Sequence, residues 1–206
     1  MNAEDDHKPD PKPDPKLDPK DAAILHAAFE AFARYGLRRT SMEDIAKGAG
    51  MSRPALYLRY GGKEDIFNAL VRVHYARSER AVAKVLSAPG HPTDTLLAVF
   101  HAIDGEAMEV MMNSPHAGEI LSEAMPFNQT EVQEANARIA AHVARWIAAG
   151  VAEGRMSLAG TGSTPEEIAA TALAAKAGIK AAAKDFADYR AAEARLAAVF
   201  GKALAG

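Results

Sequence analysis

The chain has 206 residues, of which 49% are hydrophobic and 25% are charged, and it contains no cysteine. This composition is typical of a soluble globular protein, and the lack of cysteine excludes disulfides, thiolate zinc sites and cysteine nucleophiles. The N-terminus carries Glu4, Asp5 and Asp6 without an apolar segment, and no run approaches the roughly 20 apolar residues of a membrane span. We therefore expect a cytoplasmic protein with no membrane contact.

The net charge of −3 is distributed unevenly along the chain. Residues 1–20 hold four lysines and six acidic residues. Residues 21–85 hold eleven basic and seven acidic residues, whereas residues 86–206 hold nine basic and fourteen acidic residues. A local basic surplus is enough to attract a polyanion such as DNA. The surplus supports a DNA-binding segment within residues 21–85, although an imbalance of this size also arises by chance.

Residues 8–20 repeat a four-residue unit, KPDP, KPDP and KLDP, before Lys20. Proline at this density blocks helical hydrogen bonds and favours extended chain, so we predict a disordered tail over residues 1–20. Its lysines could touch DNA phosphates, but the interleaved aspartates cancel their charge and favour a solvated spacer.

The first helical pattern runs from about Asp21 to Tyr35. Leu25, Ala28 and Phe32 recur in it at helical spacing. Gly36 follows as a C-terminal stop signal. We expect this helix to support the segment that comes next.

A capping box predicts the start of a second, short helix. Thr40 or Ser41 can accept a hydrogen bond from a free backbone N–H at the helix start. Glu43 or Asp44, three residues further on, can accept one in return. Gly50 then permits the left-handed backbone that a sharp reversal between two helices requires.

A third helix begins at Ser52 and Pro54, because proline is well tolerated in a first helical turn. Leu56 and Tyr60 are four residues apart and form its buried face. The other face is free to enter a DNA major groove, which is wide enough for one helix. Other side chains project away from the buried face, and the two arginines among them are candidate base readers: Arg53, Ala55, Tyr57 and Arg59.

A long fourth helix is predicted from Lys63 to about Leu86. Lys63 opens it, so its ammonium and the free N–H groups of the first turn together suit a phosphate oxygen. Two prolines around a glycine in residues 88–92 then break the helical pattern. We place a domain boundary at this break.

From about Ile24 to Leu70 the chain resembles the DNA-binding domain of the TetR family of bacterial transcriptional repressors. The matching pieces are ILHAAFEAFARYG, TSMEDIAKGAG and MSRPALYLRYGGKEDIF, in the family's order and spacing. The resemblance implies an all-α fold of about nine helices, in which a three-helix helix-turn-helix domain is joined by a long helix to a C-terminal helical domain. That second domain is expected to bind an effector and to dimerise.

The resemblance also implies the domain limits and the DNA contacts. The tail takes residues 1–20, the DNA-binding domain 21–86, and the effector and dimerisation domain 87–206. The implied function is a ligand-responsive repressor that binds a pseudo-palindromic operator in double-stranded DNA as a homodimer. Phosphate contacts are expected from Thr40 or Ser41, Tyr57 and Lys63, and base-edge contacts from Arg53, Pro54, Ala55 and Arg59.

Beyond residue 92 all the patterns are helical. Leu96, Phe100, Ile103, Ala107 and Met111 form one stripe, and Val132, Ile139, Val143 and Trp146 form another. The last two helices are predicted at about 165–186 and 187–204, and the first of them is rich in alanine. In the family these two helices pair with their copies in a four-helix dimer interface, although alanine also simply raises helix propensity.

A small-molecule effector would need an apolar pocket in this second domain. Methionine adapts its shape to irregular apolar ligands, so a group of methionines and aromatic residues is the candidate lining. The alternative is that the same residues form ordinary core. The candidates are Phe100, Met108, Met111, Met112, His116, Met125 and Trp146.

Catalysis and cofactor binding are not expected. The sequence contains neither a glycine-rich phosphate loop nor a nucleophile elbow, so we predict a protein that is not an enzyme and has no cofactor. His101, His116 and His142 lack the spacing of metal ligands, so we predict no metal site. The alternative function is a helical module that senses a partner protein and binds DNA weakly or not at all.

Overall fold

The computed structural model describes residues 17–120 and 129–205, and every regular element in these ranges is an α-helix. The all-α fold class is therefore confirmed. Residues 117–120 are helical, and none of the described helices is long and apolar enough to cross a membrane. The helices with both ends described are α1 (Pro19–Tyr35), α2 (Met42–Gly48), α3 (Arg53–Tyr57), α4 (Lys63–Leu86), α5 (Pro92–Asp104), α6 (Ala107–Met112), α7 (Gln129–Ala152), α8 (Pro165–Ala182) and α9 (Phe186–Ala205).

Helices α1 to α3 and the first half of α4 enclose one apolar core, which we call the head. The rings of Phe32 and Phe67 meet edge to face at its centre, with their centroids 5.8 Å apart. Ile120 also lies in this core, although it comes from the segment after α6. The fully buried members include Ile24, Ala28, Ile45, Leu56 and Ile66.

The second half of α4 packs with α5, α7, α8 and α9 around a second core, which we call the body. Helix α4 belongs to both cores, because Ile66 lies in the head and Val82 in the body. The predicted domain boundary between residues 86 and 87 therefore stays a proposal, because the head and the body share α4. The body's fully buried side chains include Val82, Leu96, Phe100, Ile139, Ile147 and Leu204.

Helix α1 begins two residues earlier than the sequence predicted. The side chain of Asp18 caps it by accepting hydrogen bonds from the N–H groups of Lys20, at 2.8 Å, and Asp21, at 3.4 Å. Pro19 follows in the first turn, where the missing N–H costs no helical hydrogen bond. The last residues of the proposed tail therefore start the first helix.

The predicted stripe from Leu96 to Met111 is wrong as a single helix. Gly105 has φ +62°, in the left-handed region, and ends α5 after Asp104. Helix α6 starts afresh at Ala107. The boundary between the last two helices is also earlier than predicted, because α8 ends at Ala182 and Phe186 opens α9.

Charged side chains are buried where α5, α8 and α9 meet, and we call this group the ion cluster. Its exposed fractions are 1% for Asp104, 5% for Lys176 and 0% for both Tyr189 and Glu193. Arg190, which is partly exposed, is the remaining charged member of the ion cluster. Buried charges of this kind are tolerated only when they are paired, so the cluster links three helices of the body.

Candidate nucleic-acid interface

The capping box at the start of α2 is confirmed, and Ser41 rather than Thr40 provides it. The Ser41 hydroxyl accepts a hydrogen bond from the Asp44 N–H at 3.2 Å, and the Asp44 carboxylate accepts one from the Ser41 N–H at 2.9 Å. The Ser41 hydroxyl also donates to that carboxylate, which is the main reason that the pKa of Asp44 is lowered. Helix α2 is thus fixed at its first turn.

Thr40 faces inward. Its hydroxyl donates to the carbonyls of Gly36, at 2.7 Å, and Ala31, at 3.2 Å, and the residue is 1% exposed. Because these bonds occupy the side chain inside the head, Ser41 is the member of the Thr40 and Ser41 pair that solvent can reach. Thr40 holds the loop between α1 and α2 in place.

Helix α3 is short and is held at both ends. Ser52 accepts the N–H of Ala55 at 3.4 Å, and Pro54 lies in the first turn. Leu56 is completely buried in the head and anchors the helix, as predicted. Tyr60 lies beyond the end of α3, but its N–H donates to the Leu56 carbonyl at 3.0 Å and its side chain packs against the head's core, as Leu56 does.

The outward face of α3 presents Arg53, Pro54 and Tyr57 to solvent, with Ala55 partly buried among them. The Arg53 guanidinium lies 5.5 Å from the centroid of the Tyr57 ring and donates to its hydroxyl at 3.5 Å. That hydrogen bond is the main cause of the raised pKa of Arg53. The face therefore carries a permanent positive charge beside an exposed aromatic ring.

Arg59 has a different environment from Arg53. Its guanidinium contacts the carboxylate of Asp21 at 2.7 Å and that of Asp18 at 3.3 Å, both at the start of α1. The hydrogen bond to Asp21 is the main cause of its raised pKa. Sequence spacing carried no signal for this pairing, because Arg59 lies 38 residues after Asp21, beyond the end of α3. Arg59 thus fastens the exit of α3 to the start of α1.

Lys63 also has partners inside the protein. Its Nζ donates to the backbone carbonyl of Arg38 at 2.8 Å and to that of Thr40 at 3.1 Å. These bonds satisfy acceptors in the loop between α1 and α2. The ammonium stands at the start of α4, whose N-cap residue, Gly62, has no side chain to cap the helix.

A short segment between α6 and the undescribed residues packs against the head, and we call it the joint (residues 113–120). The Ser114 hydroxyl donates to the Ala33 carbonyl at 2.6 Å. Glu119 accepts the Arg38 N–H at 2.7 Å. With Ile120 buried in the head's core, the joint is bonded to the same loop that Lys63 holds.

The effector-pocket candidates do not lie together. Phe100 and Trp146 pack in the body's core, and Met108 is buried, whereas Met111 packs against the head's core. His116 lines a cavity of about 230 Å³ with Arg34, Tyr35, Arg39 and Asp44. Met112 is partly buried, and Met125 lies outside the described residues. Within residues 17–120 and 129–205, no three acidic or histidine side chains are grouped so that they could hold a metal ion.

The chain matches a family model described as bacterial regulatory proteins, tetR family, over residues 24–70. It is 35% identical over 79 residues to the uncharacterised HTH-type transcriptional regulator YezE of Bacillus subtilis, with 38% of this chain and 41% of the relative covered. It is 28% identical over 104 residues to the HTH-type transcriptional repressor KstR2 of Mycobacterium tuberculosis, and this alignment covers 48% of this chain and 52% of the relative. The alignments thus span about half the length of these curated relatives or less.

Solved structures extend the likeness to the whole fold. Salmonella enterica GusR superimposes with a TM-score of 0.66 at 22% identity, covering 90% of this chain and 95% of its own. SmeT, the repressor of the Stenotrophomonas maltophilia multidrug efflux pump SmeDEF, superimposes with a TM-score of 0.64 at 19% identity, covering 90% of each chain. At these identities the likeness concerns the fold alone.

Proposed function

We propose that this chain is a ligand-responsive transcriptional repressor of the TetR family that binds its operator as a homodimer. The observation that carries the proposal is the outward face of α3. Arg53 and Tyr57 stand exposed there, while Leu56 on the opposite face is completely buried in the head. A helix held in this way can enter a major groove without losing its own packing.

In the proposed complex the two kinds of DNA contact come from different parts of the head. Arg53, Pro54 and Ala55 face base edges at the start of α3, where recognition helices read sequence. Tyr57 and Ser41 contact phosphates, which set position rather than sequence. The repressor is expected to act in the cytoplasm, where bacterial operator DNA is found.

Arg59 and Lys63 exchange partners on DNA in this proposal. Arg59 leaves Asp21 for a base edge, and Lys63 leaves the carbonyls of the α1–α2 loop for a phosphate. Each exchange replaces a bond within the protein, so the net gain is smaller than for a side chain that is free beforehand. We expect Arg53 to contribute more discrimination than Arg59 for this reason.

The outer face of α8 supports dimerisation. Beyond the exposed Glu166 and Glu167 of its first turn, it exposes only small side chains at helical spacing, which allows the backbone of a second copy to approach closely. On α9, Val199 is an exposed large apolar side chain, with 66% of its surface accessible. Two heads joined through these helices would bind half-sites one or more turns of about 34 to 36 Å apart. The exposed residues on the α8 face are Ala170, Thr171, Ala174, Ala177, Gly178 and Ala181.

An effector would act through the body. We propose that it enters near Phe100, Met108 and Trp146, and that Met111, Met112 and His116 respond through the joint rather than form one pocket with them. Met125 stays a candidate for the pocket. The effector must bind more tightly to the dimer whose heads are wrongly spaced for the operator than to the DNA-bound dimer. The joint's bonds to Ala33 and Arg38 provide a route from the body to the head.

The test begins with an operator selected from a random duplex library by the wild-type protein. Arg53→Ala is expected to lose about 1 to 3 kcal/mol of discrimination between this operator and a scrambled duplex. Lys63→Ala is expected to weaken binding to both duplexes. It should also reduce by about one the slope of the logarithm of the binding constant against the logarithm of the salt concentration. Arg145→Ala, an exposed arginine on α7 outside the proposed DNA and dimer surfaces, is the matched control.

Equal losses on both duplexes with Arg53→Ala would contradict base reading. Failure of the wild type to enrich any duplex would contradict the repressor altogether and favour a module that senses a partner protein.

A further inference from the structure

The charges of the ion cluster are paired within the protein. Asp104 contacts Lys176 at 2.5 Å and Arg190 at 3.0 Å, and Glu193 contacts the same two cations at 3.2 and 2.6 Å. Two carboxylates and two cations therefore neutralise one another. A cavity beside the joint is different, because its charged side chains belong to the surface of the molecule and line open space.

This cavity, of about 230 Å³, lies where four segments of the chain meet, and we call it the joint cavity. All five side chains that line it carry a polar group. Its volume is below the roughly 300 to 1,000 Å³ of sites for drug-sized molecules, so it suits a small polar ligand. The lining consists of Arg34 and Tyr35 at the end of α1, Arg39 in the α1–α2 loop, Asp44 in the first turn of α2 and His116 in the joint.

The wall that the joint provides is held by close contacts with the end of α1. Gly36 has φ +80°, and a Cβ atom on it would lie 2.6 Å from Glu119 Oε2 and 3.2 Å from His116 Nδ1. The side chains of His116 and Glu119 are each only 25% exposed. The backbone N–H of His116 donates to the Ser114 hydroxyl at 3.0 Å, and that hydroxyl donates to the Ala33 carbonyl. The missing side chain at Gly36 therefore lets the joint approach α1 and places His116 at the cavity.

The two guanidinium groups of the joint cavity are not engaged in ion pairs with the described part of the chain. Within residues 17–120 and 129–205, no carboxylate comes within 4 Å of Arg34 or Arg39. The Arg34 guanidinium lies instead 5.9 Å from the centroid of the Tyr35 ring. Both arginines are exposed. A ligand can therefore reach them without breaking an ion pair among these residues.

Asp44 supplies the carboxylate of the lining, and the capping box already engages it. Its Oδ2 accepts hydrogen bonds from the Ser41 N–H at 2.9 Å and from the Ser41 hydroxyl at 2.5 Å. The bond from the hydroxyl is the main cause of the lowered pKa of Asp44, so this carboxylate stays ionised. Apart from His116, the lining thus carries two positive charges and one negative charge. A monoanion matches the surplus of one, whereas a dianion exceeds it.

We propose that the joint cavity binds a small organic acid, whose carboxylate is held by the guanidinium groups of Arg34 and Arg39. A guanidinium presents paired N–H donors that fit both oxygens of a carboxylate. The imidazole of His116 can donate a further hydrogen bond from the joint. The exposed ring of Tyr35 offers an aromatic surface to the remainder of the acid.

Bound in this cavity, the acid ties the joint to the α1–α2 loop. Arg39 lies in that loop two residues before Ser41, which is expected to contact a DNA phosphate. A carboxylate on Arg39 cancels positive charge that attracts DNA, so the acid is expected to lower the affinity for the operator. Only this consequence rests on the proposed function, because binding of the acid does not require DNA.

The test uses the full chain without DNA and two probes of similar shape that differ in charge. Benzoate and benzamide are each titrated into the protein by calorimetry. We expect benzoate to bind at least about tenfold more tightly than benzamide, as charge-assisted hydrogen bonds allow. Equal affinities for the two probes, or binding of neither, would overturn the proposal.

Replacing the arginines one at a time locates the bound carboxylate. Arg34→Gln and Arg39→Gln remove the charge and keep a polar side chain, so each should weaken benzoate binding at least about fivefold and leave benzamide binding unchanged. Arg38→Gln is the matched control, because Arg38 is an exposed arginine of the same loop outside the lining of the cavity. It should retain the preference for benzoate. An equal loss in all three variants would indicate a general attraction of anions to the head and overturn the site.

The two proposals fail in distinguishable ways. Selective binding of benzoate by a chain that enriches no duplex would contradict the repressor and leave the acid site standing. A chain that enriches an operator, binds no benzoate and loses DNA affinity in Arg39→Gln would use Arg39 for a DNA phosphate, which overturns the acid site and leaves the repressor standing. Unchanged benzoate affinity in Arg34→Gln and Arg39→Gln would also overturn the acid site.

Discussion

The head and the body use polar side chains in opposite ways. Among the described residues, the only buried polar side chain in the head is Thr40, and it bonds to local backbone. The body buries Ser78, Thr95, Asp104, Lys176 and Glu193, and all of these except Thr95 bond to another helix. The head keeps its charges at the surface, where DNA can compete for them, whereas the body uses charges to join α5, α8 and α9.

This difference follows from the length of the helices. Helices α2 and α3 have seven and five residues, too few to be stable alone, so caps and one or two buried side chains determine their positions. The body's helices are long and rich in alanine, which packs closely but offers little apolar area. Specific polar bonds can then select one arrangement of helices among several of similar packing.

The largest effect is expected from removing one cation of the ion cluster. Lys176→Met leaves Asp104 and Glu193 with Arg190 alone, so it should lower the free energy of unfolding by about 3 to 5 kcal/mol. Urea denaturation followed by circular dichroism measures this change. Adding Glu193→Gln to Lys176→Met should recover part of the loss because it restores the balance of charge. A loss below that of the exposed control Lys184→Met would mean that the cluster does not stabilise the body.

The second effect is a loss of stability in acid. The pKa of His74 is about 4 in the folded chain, below its ordinary value of 6.5. Between these pH values the unfolded chain binds a proton that the folded chain does not, so stability falls as the pH drops from 6.5 to 4. His74 should lower the free energy of unfolding by about 1 to 3 kcal/mol in total, and this loss is complete below pH 4. The free energy of unfolding, measured between pH 6.5 and 4, should depend less steeply on pH in His74→Gln than in the wild type. The same pH dependence in both proteins would contradict the burial of a neutral imidazole.

A third effect tests how closely the body's helices approach one another. A Cβ atom on Gly201, in α9, would clash with the backbone of Thr93 at the start of α5. Gly201→Ala should therefore cost about 1 to 3 kcal/mol of stability, as overpacking does. Gly178, on α8, has open space around it within one chain, so Gly178→Ala should instead gain about 0.5 to 1 kcal/mol in the monomer. Thermal unfolding of both variants checks the contrast, and a gain in Gly201→Ala would show that α9 can move away.

The smallest effect on stability belongs to the head. Asp21→Asn breaks the contact with Arg59, which is partly exposed, so the cost should stay below about 1 kcal/mol. DNA affinity should rise about two- to threefold, because Arg59 then has to leave only the carboxylate of Asp18, at 3.3 Å. Fluorescence anisotropy with the selected operator measures this change. Glu30→Gln, an exposed acid on the same helix, corrects for the loss of one negative charge, and an equal gain in both variants would remove any special role of Asp21.

Much of the head could be predicted because its signals are local. Ser41 and Asp44 form the expected capping box, Gly50 adopts the left-handed backbone that the turn requires, and α4 runs from Lys63 to Leu86 as predicted. Each of these features depends on residues within four positions of one another. Such signals survive in the sequence because the interacting groups are neighbours along the chain.

The ion cluster was missed although its signal was present. Lys176 continues the spacing of Ala169 and Ala172, which form the inward face of α8. Glu193 likewise lies four residues after Tyr189 on the inward face of α9. Helical spacing alone therefore placed a lysine and a glutamate in the core. Recognising them required the assumption that a charge can be buried, which is justified only when its partner on another helix is known.

By itself the sequence determined the all-α class, the starts and ends of most helices and the helix-turn-helix, since these depend on spacing, caps and glycines over a few residues. Only the tertiary structure decided which side chains meet across the chain. It paired Arg59 with Asp21, directed Thr40 inward, divided the methionines between head and body, and brought Lys176 to Asp104 and Glu193. Such pairings depend on how helices far apart in sequence pack against one another, and periodicity within one helix carries no record of its neighbour.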